Sequence, residues 1–178
     1  MNIERQLSVA NTKENFNLIC DYIEKDESRF KEVMILFFDN SKMVNQRVSW
    51  VVEYYYKRNP KPLIRYLPQL VEKLSSHPRP HDAFIRNTLR IFQIMEIPED
   101  FEGEIYDLSY QYLTNHENAT AIKAFAMTVA FNISLKYPEL QEEIKLAIED
   151  QLSFESAGFT NRGRKIITAI EQKKRKYD

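Results

Sequence analysis

Residues 82–98 read DAFIRNTLRIFQIMEIP, and the placing of their apolar side chains decides the fold. Phe84, Ile85, Thr88, Ile91, Phe92 and Met95 fall at i, i+1, i+4, i+7, i+8 and i+11, one side of a 3.6-residue helix. The opposite side carries Arg86, Arg90 and Gln93 at i, i+4 and i+7. The same rhythm recurs in Ile122, Phe125, Ala126, Val129 and Ile133, in Phe101, Ile105, Leu108 and Tyr112, and in Leu140, Ile144, Ile148 and Leu152. No stretch alternates apolar and polar residues as a half-buried strand would. The chain reads as all-α.

Prolines mark the joints. Pro60, Pro62, Pro98 and Pro138 each precede a new periodic segment, at the helix start where a missing N–H costs nothing. Pro60 to Pro98 spans 38 residues and Pro98 to Pro138 spans 40. A period near 40 residues holding two helices is the pattern of a stacked solenoid. First helices are predicted near 28–38, 62–75, 99–114 and 139–152, and second helices near 43–58, 82–96, 119–136 and 160–175. A helix near 13–25 (Phe16, Ile19, Cys20, Ile23) would cover the N-terminal end. One domain over 1–178 is expected, with a cap at 1–27 and repeats at 28–59, 60–97, 98–137 and 138–178.

The second helices open alike. Arg47, Arg86, Lys123 and Arg164 stand three residues ahead of Trp50, Leu89, Ala126 and Ile167. Phe84-Ile85-Arg86 and Ala121-Ile122-Lys123, with Tyr137-Pro138-Glu139-Leu140 as the start of a first helix, resemble HEAT repeats, the armadillo-type helical arrays. That resemblance covers nearly all of 28–175. It implies a right-handed α-α superhelix of about four helix pairs plus an N-terminal capping helix, with the second helices lining a concave binding face.

Composition agrees with such an array and excludes much else. The chain has 178 residues, enough to fold without a cofactor or metal, and neither is expected. Three glycines are too few for tight hairpins, phosphate loops or dinucleotide turns. Gly103 falls in a predicted first helix, whereas Gly158 and Gly163 gather at the entrance to the last second helix, where the stacking is expected to be least regular. Without an apolar run of membrane length or a signal-like N-terminus, a cytoplasmic protein is expected. The lone Cys20, between Leu18, Ile19 and Ile23, reads as a buried thiol.

The near-neutral net charge of −1 conceals a division. Second-helix segments (43–58, 82–95, 118–136, 159–176) sum to +11 and first-helix segments (28–39, 61–74, 99–114, 138–152) to −7. The candidate binding residues on the basic face are Arg47, Trp50, Tyr54, Arg86, Arg90, Gln93, Lys123 and Arg164. Arg47, flanked by Met43, Trp50 and Tyr54 beside a core stripe that begins at Val44, could stack a base or grip a phosphate. Lys173, Lys174, Arg175 and Lys176 would extend the field. The bland alternatives are a structural ladder of paired cations, inter-repeat packing of the aromatics, and a solvated acidic face between Glu96 and Glu117.

Catalytic signals are few. His77-Pro78-Arg79-Pro80-His81-Asp82 gathers two histidines and a carboxylate, but its prolines hold it extended, and no metal site is read there. Tyr56-Lys57-Arg58-Asn59-Pro60 resembles a scrap of the adenylosuccinate lyase and fumarase signature loop, without the catalytic Ser or the long chain. A more distant resemblance, to HEAT-like DNA alkylation repair glycosylases, implies nucleic acid on the basic face. Those enzymes also use a paired Trp and Asp, and this chain has one Trp. The sequence therefore reads as a non-enzymatic binding or scaffold module with a protein partner, or alternatively as a nucleic-acid binder.

Overall fold

In the computed structural model, every regular element among the described residues is a helix. Residues 1–39 and 42–174 are described, with the side chains of all but 42–45, 173 and 174. The helices are α1 (Ile3–Val9), α2 (Lys13–Glu24), α3 (Phe30–Phe38), α4 (Lys42–Arg58), α5 (Lys61–Ile64), α6 (Leu67–Ser75), α7 (Asp82–Phe92), α8 (Glu99–Thr114), α9 (Thr120–Ser134), α10 (Gln141–Glu149) and α11 (Ala157–Lys174). Single 3-10 turns at Glu27–Arg29 and Pro138–Leu140 lead into α3 and α10. Two compact units, residues 1–91 and 92–178, each carry their own packing.

In the N-terminal unit, α1 and α2 form a helix pair where a single capping helix was expected. Asn2 starts α1 by accepting the Arg5 N–H at 2.8 Å, and Thr12 starts α2 by accepting that of Asn15 at 3.3 Å. Buried Asn15 ties the pair together, donating to the carbonyls of Gln6 and Ala10. α1 packs on α3 and α2 on α4, so first helices stack on first and second on second. The core between the layers holds Ile19, Ile23, Val33, Phe37, Val51 and Tyr55, all within 1% of full burial. Phe30 stacks on Tyr55 at 5.0 Å, and Phe37 meets Phe84 of α7 at 5.4 Å.

The predicted first helix at 62–75 is broken into α5 and α6. Pro68 lies in the first turn of α6, and its ring would clash with the carbonyl of Ile64 if the helix ran through. The chain therefore closes α5 and restarts.

In the C-terminal unit α8 packs along α9 and α10 along α11, while α10 contacts α8 and α11 contacts α9. Three acids in the first turn of α8, Glu99, Asp100 and Glu102, complement its dipole. Buried amides hold the connections: Asn118 donates to the Tyr112 carbonyl at 2.9 Å, Gln141 to that of Ser134 at 3.0 Å and Gln151 to that of Leu113 at 3.0 Å. Gly158 and Gly163 lie inside α11, and no glycine has positive φ. Gly163 serves close packing, since a Cβ there would stand 2.6 Å from Ile148 Cγ2.

Candidate functional site

The second helices carry the predicted site, and each residue finds its own environment. Arg47 is half-buried and donates from Nη1 to the Leu7 carbonyl at 2.8 Å, closing the end of α1. The Arg90 guanidinium covers one face of the Trp50 ring at 3.7 Å. Its Nη2 donates to Ser49 Oγ at 2.8 Å, and its Nη1 lies 3.7 Å from Glu53 Oε2. Burial holds Arg90 below its ordinary pKa, with Glu53 opposing and Arg86 reinforcing that shift. Tyr54 packs against Phe16 at 6.0 Å, with the Lys57 ammonium 5.9 Å over its ring. Arg86 is half-buried, with no hydrogen-bond or ion-pair partner among the described residues.

In the C-terminal unit Gln93 accepts from Arg162 Nη1 at 3.4 Å, and its carbonyl accepts from Asn132 at 2.9 Å. Lys123 is 1% exposed and bound to the Glu155 carboxylate, whose other oxygen accepts from Thr120 at 2.6 Å. Its ammonium is out of a partner's reach. Burial pushes the Glu155 carboxyl up, but the bonds from Lys123 and Thr120 outweigh that and hold it below its ordinary range. Arg164 is exposed on α11, without an ion-pair partner among the described residues.

Half of the described basic residues on the predicted face are neutralised from within. Of its fourteen basic residues, five are ion-paired: Lys57 with Glu53, Arg58 with Asp21 and Glu24, Arg90 with Glu53, Lys123 with Glu155 and Lys136 with Glu102. Arg47 and Arg162 bond to neutral oxygens. Arg86, Arg164 and Lys165 do neither among the described residues. The side chains of Lys173, Lys174, Arg175 and Lys176 lie outside the description, as do those of Met43 and Val44.

Sequence reasoning singled out Arg90 as a binding residue rather than a clamp, and missed the clamps Arg58 and Arg162. Arg58 holds Asn17, Asp21 and Glu24 of α2. Arg162 of α11 reaches the Ala124 carbonyl at 3.0 Å and Thr128 Oγ1 at 3.2 Å, over the Phe125 ring at 5.1 Å. Each links a second helix to its predecessor. The acidic run from Glu96 to Glu117 is not wholly solvated either: Glu102 is 3% exposed, bound by Lys136 and by Tyr137 Oη at 2.8 Å.

Elsewhere the chemistry is structural. His81 Nδ1 accepts the Ala83 N–H at 3.0 Å at the start of α7, and Arg79 pairs with Asp82 at 2.7 Å. Among the described residues no three His, Cys, Asp or Glu side chains group as a metal site. Burial pushes the Cys20 thiol up to about 12.

Paired helices in two layers, clamped second helix to second helix, define an α-helical repeat protein. The chain belongs to the HEAT repeat domain family, whose model matches residues 3–170. HEAT repeats are in general protein-interaction scaffolds. No curated protein and no solved structure matches the chain. No helix among the described residues is long and apolar enough to cross a membrane.

Proposed function

We propose that this chain is a non-catalytic scaffold that binds a protein partner through the exposed faces of its second helices. The observation that carries this reading is the internal pairing of the basic residues. A nucleic-acid groove needs a run of cations available to phosphates, whereas Arg58, Arg90, Lys57, Lys123 and Lys136 are already bound to carboxylates. What is offered in the N-terminal unit is a half-buried Trp50, Tyr54 and Arg86. Tyr, Trp and Arg dominate protein-interface hot spots. Arg90 covers one face of Trp50, which removes that face as a platform for a base. We place the protein in the cytoplasm, where the thiol of Cys20 stays reduced, and read residues 1–178 as one domain that includes its N-terminal cap.

Affinity capture with the full chain, followed by titration of the recovered partner, tests the scaffold. Trp50→Ala and Arg86→Ala are each expected to weaken that complex by about tenfold, the scale of a hot-spot truncation. Fluorescence anisotropy with duplex and single-stranded DNA and RNA is the counter-measurement. Binding that falls with log salt at a slope of several units would overturn the protein-partner reading in favour of nucleic acid.

A further inference from the structure

Arg162 and Arg90 occupy equivalent settings. Arg90 reaches Ser49, Trp50 and Glu53 on α4, and Arg162 reaches Ala124, Phe125 and Thr128 on α9. Both sets run i, i+1, i+4, so Thr128 holds the register position of Glu53. The difference in kind is the carboxylate.

Arg162 spends one nitrogen, Nη1, on three neutral acceptors: the Ala124 carbonyl, Thr128 Oγ1 and Gln93 Oε1. Its Nε and Nη2 make no bond among the described residues, and neither is a buried unsatisfied atom as Arg90 Nε is, so both reach solvent. Burial holds the Arg162 pKa below its ordinary value, and no neighbouring charge contributes to that shift. This is a guanidinium fixed on a ring, partly out of water, with its Nε–Nη2 edge available. Such an edge matches a carboxylate in a two-bond fork at little further ordering cost.

We propose that Arg162 anchors an acidic side chain of a partner protein, received on the α9–α11 face of the C-terminal unit. The proposal rests on the scaffold reading and names the chemistry of the partner. The surroundings favour a peptide carboxylate over a phosphate chain. The accessible residues of α9 around Phe125 are uncharged (Ala121, Ala124, Thr128, Phe131), and its one lysine, Lys123, and Lys136 just beyond its end are bound to Glu155 and Glu102. Exposed Lys165, one turn along α11, adds attraction for an anion but not a track for a strand. One acidic residue flanked by apolar ones fits this surface.

Random dodecapeptides displayed on phage and selected on the full chain test the proposal, with oligo-dT as a competitor. Recovered peptides are expected to be enriched in Asp and Glu. A synthetic copy of one should bind Arg162→Gln about tenfold or more weakly, the loss of a charge-assisted pair. Thr128→Glu supplies a carboxylate to Arg162 from within, as Glu53 does for Arg90, and should block the acidic peptide while the variant melts no lower than wild type. Peptides without acidic enrichment, or binding unchanged in both variants, would overturn the Arg162 anchor and leave the scaffold reading standing. Recovery of no peptide also overturns the anchor, while the scaffold is judged by its own captured partner. Displacement of the acidic peptide by oligo-dT at physiological salt would assign the site to nucleic acid and overturn both.

Discussion

The Arg90 guanidinium lies 3.7 Å from the centroid of the Trp50 ring, joining α7 to α4. The Arg90 side chain is 12% exposed, so its contacts are shielded from water. A shielded cation–π contact contributes about 1–2 kcal/mol and the bond to Ser49 about 1 kcal/mol, offset in part by the buried, unpartnered Nε. Arg90→Ala is therefore expected to cost about 2–3 kcal/mol in urea unfolding. Arg90→Lys should recover less than half, because an ammonium lacks the planar face that lies on the ring. Trp50 is the single tryptophan, so its native emission should shift to the red when Arg90 is removed.

Lys123 and Glu155 make the most buried ion pair among the described residues, with side chains 2% and 8% exposed. Removing one partner strands the other charge, and Lys123→Met should cost about 3–5 kcal/mol. Replacing both, as Lys123→Met with Glu155→Leu, should restore most of that loss, because the desolvation penalty vanishes with the attraction. A thermodynamic cycle by chemical denaturation reads the coupling. Additive losses in the double variant would show that the pair does not act as a unit.

The helix pairs were legible where a full apolar stripe met a helix-start signal: α8 was predicted at 99–114, as observed, because Pro98 precedes a stripe of four turns. α1 was not, since Ile3 and Leu7 are a single i, i+4 pair over seven residues. The site was less legible. Equal spacing suggested Arg47, Arg86, Lys123 and Arg164 as one series, yet Arg47 caps a helix end, Lys123 is buried and Arg86 and Arg164 are without ion-pair partners among the described residues. Which side chain meets the neighbouring helix depends on each helix's rotation about its own axis. Packing sets that rotation, and local spacing does not encode it. Glu155 illustrates the limit: it sits in an unpatterned turn after α10, and nothing in its surroundings marks it as the counter-ion of Lys123.

Acid sensitivity should centre on Glu102 and Glu155. The hydrogen bond from Lys136 holds the Glu102 carboxyl below its ordinary value, with help from Tyr137 against the opposing effect of burial. A carboxyl lowered in the folded state contributes stability that is fully present above its unfolded value, near 4.5, and is lost as pH falls through the folded one. Urea midpoints measured from neutral pH downward should hold level and then fall once the ordinary carboxylate range is passed. Glu102→Gln should begin lower at neutral pH and fall less steeply. A parallel decline in the two proteins would assign the acid sensitivity to other carboxylates.

Gly103 and Gly163 are both helical, and alanine should act on them with opposite sign. At Gly103, in α8, an added Cβ has nothing within 4 Å. Gly103→Ala should stabilise the protein by about 0.5–1 kcal/mol, through the entropy it removes from the unfolded chain and the better helix propensity. At Gly163, in α11, the added Cβ would stand 2.6 Å from Ile148 Cγ2 and 3.4 Å from Leu152 Cδ2. Ile148 is fully buried in α10, and its Cγ2 branches directly from Cβ, so it can swing aside only by leaving the one χ1 rotamer a β-branched residue favours in a helix, into packed surroundings. Overpacking of that kind costs about 1–3 kcal/mol, more than the propensity gain returns. Thermal melts of the two single variants should therefore move apart, Gly103→Ala upward and Gly163→Ala downward. Pairing Gly163→Ala with Ile148→Ala should relieve the contact, leaving a double variant closer to Ile148→Ala alone than additivity predicts.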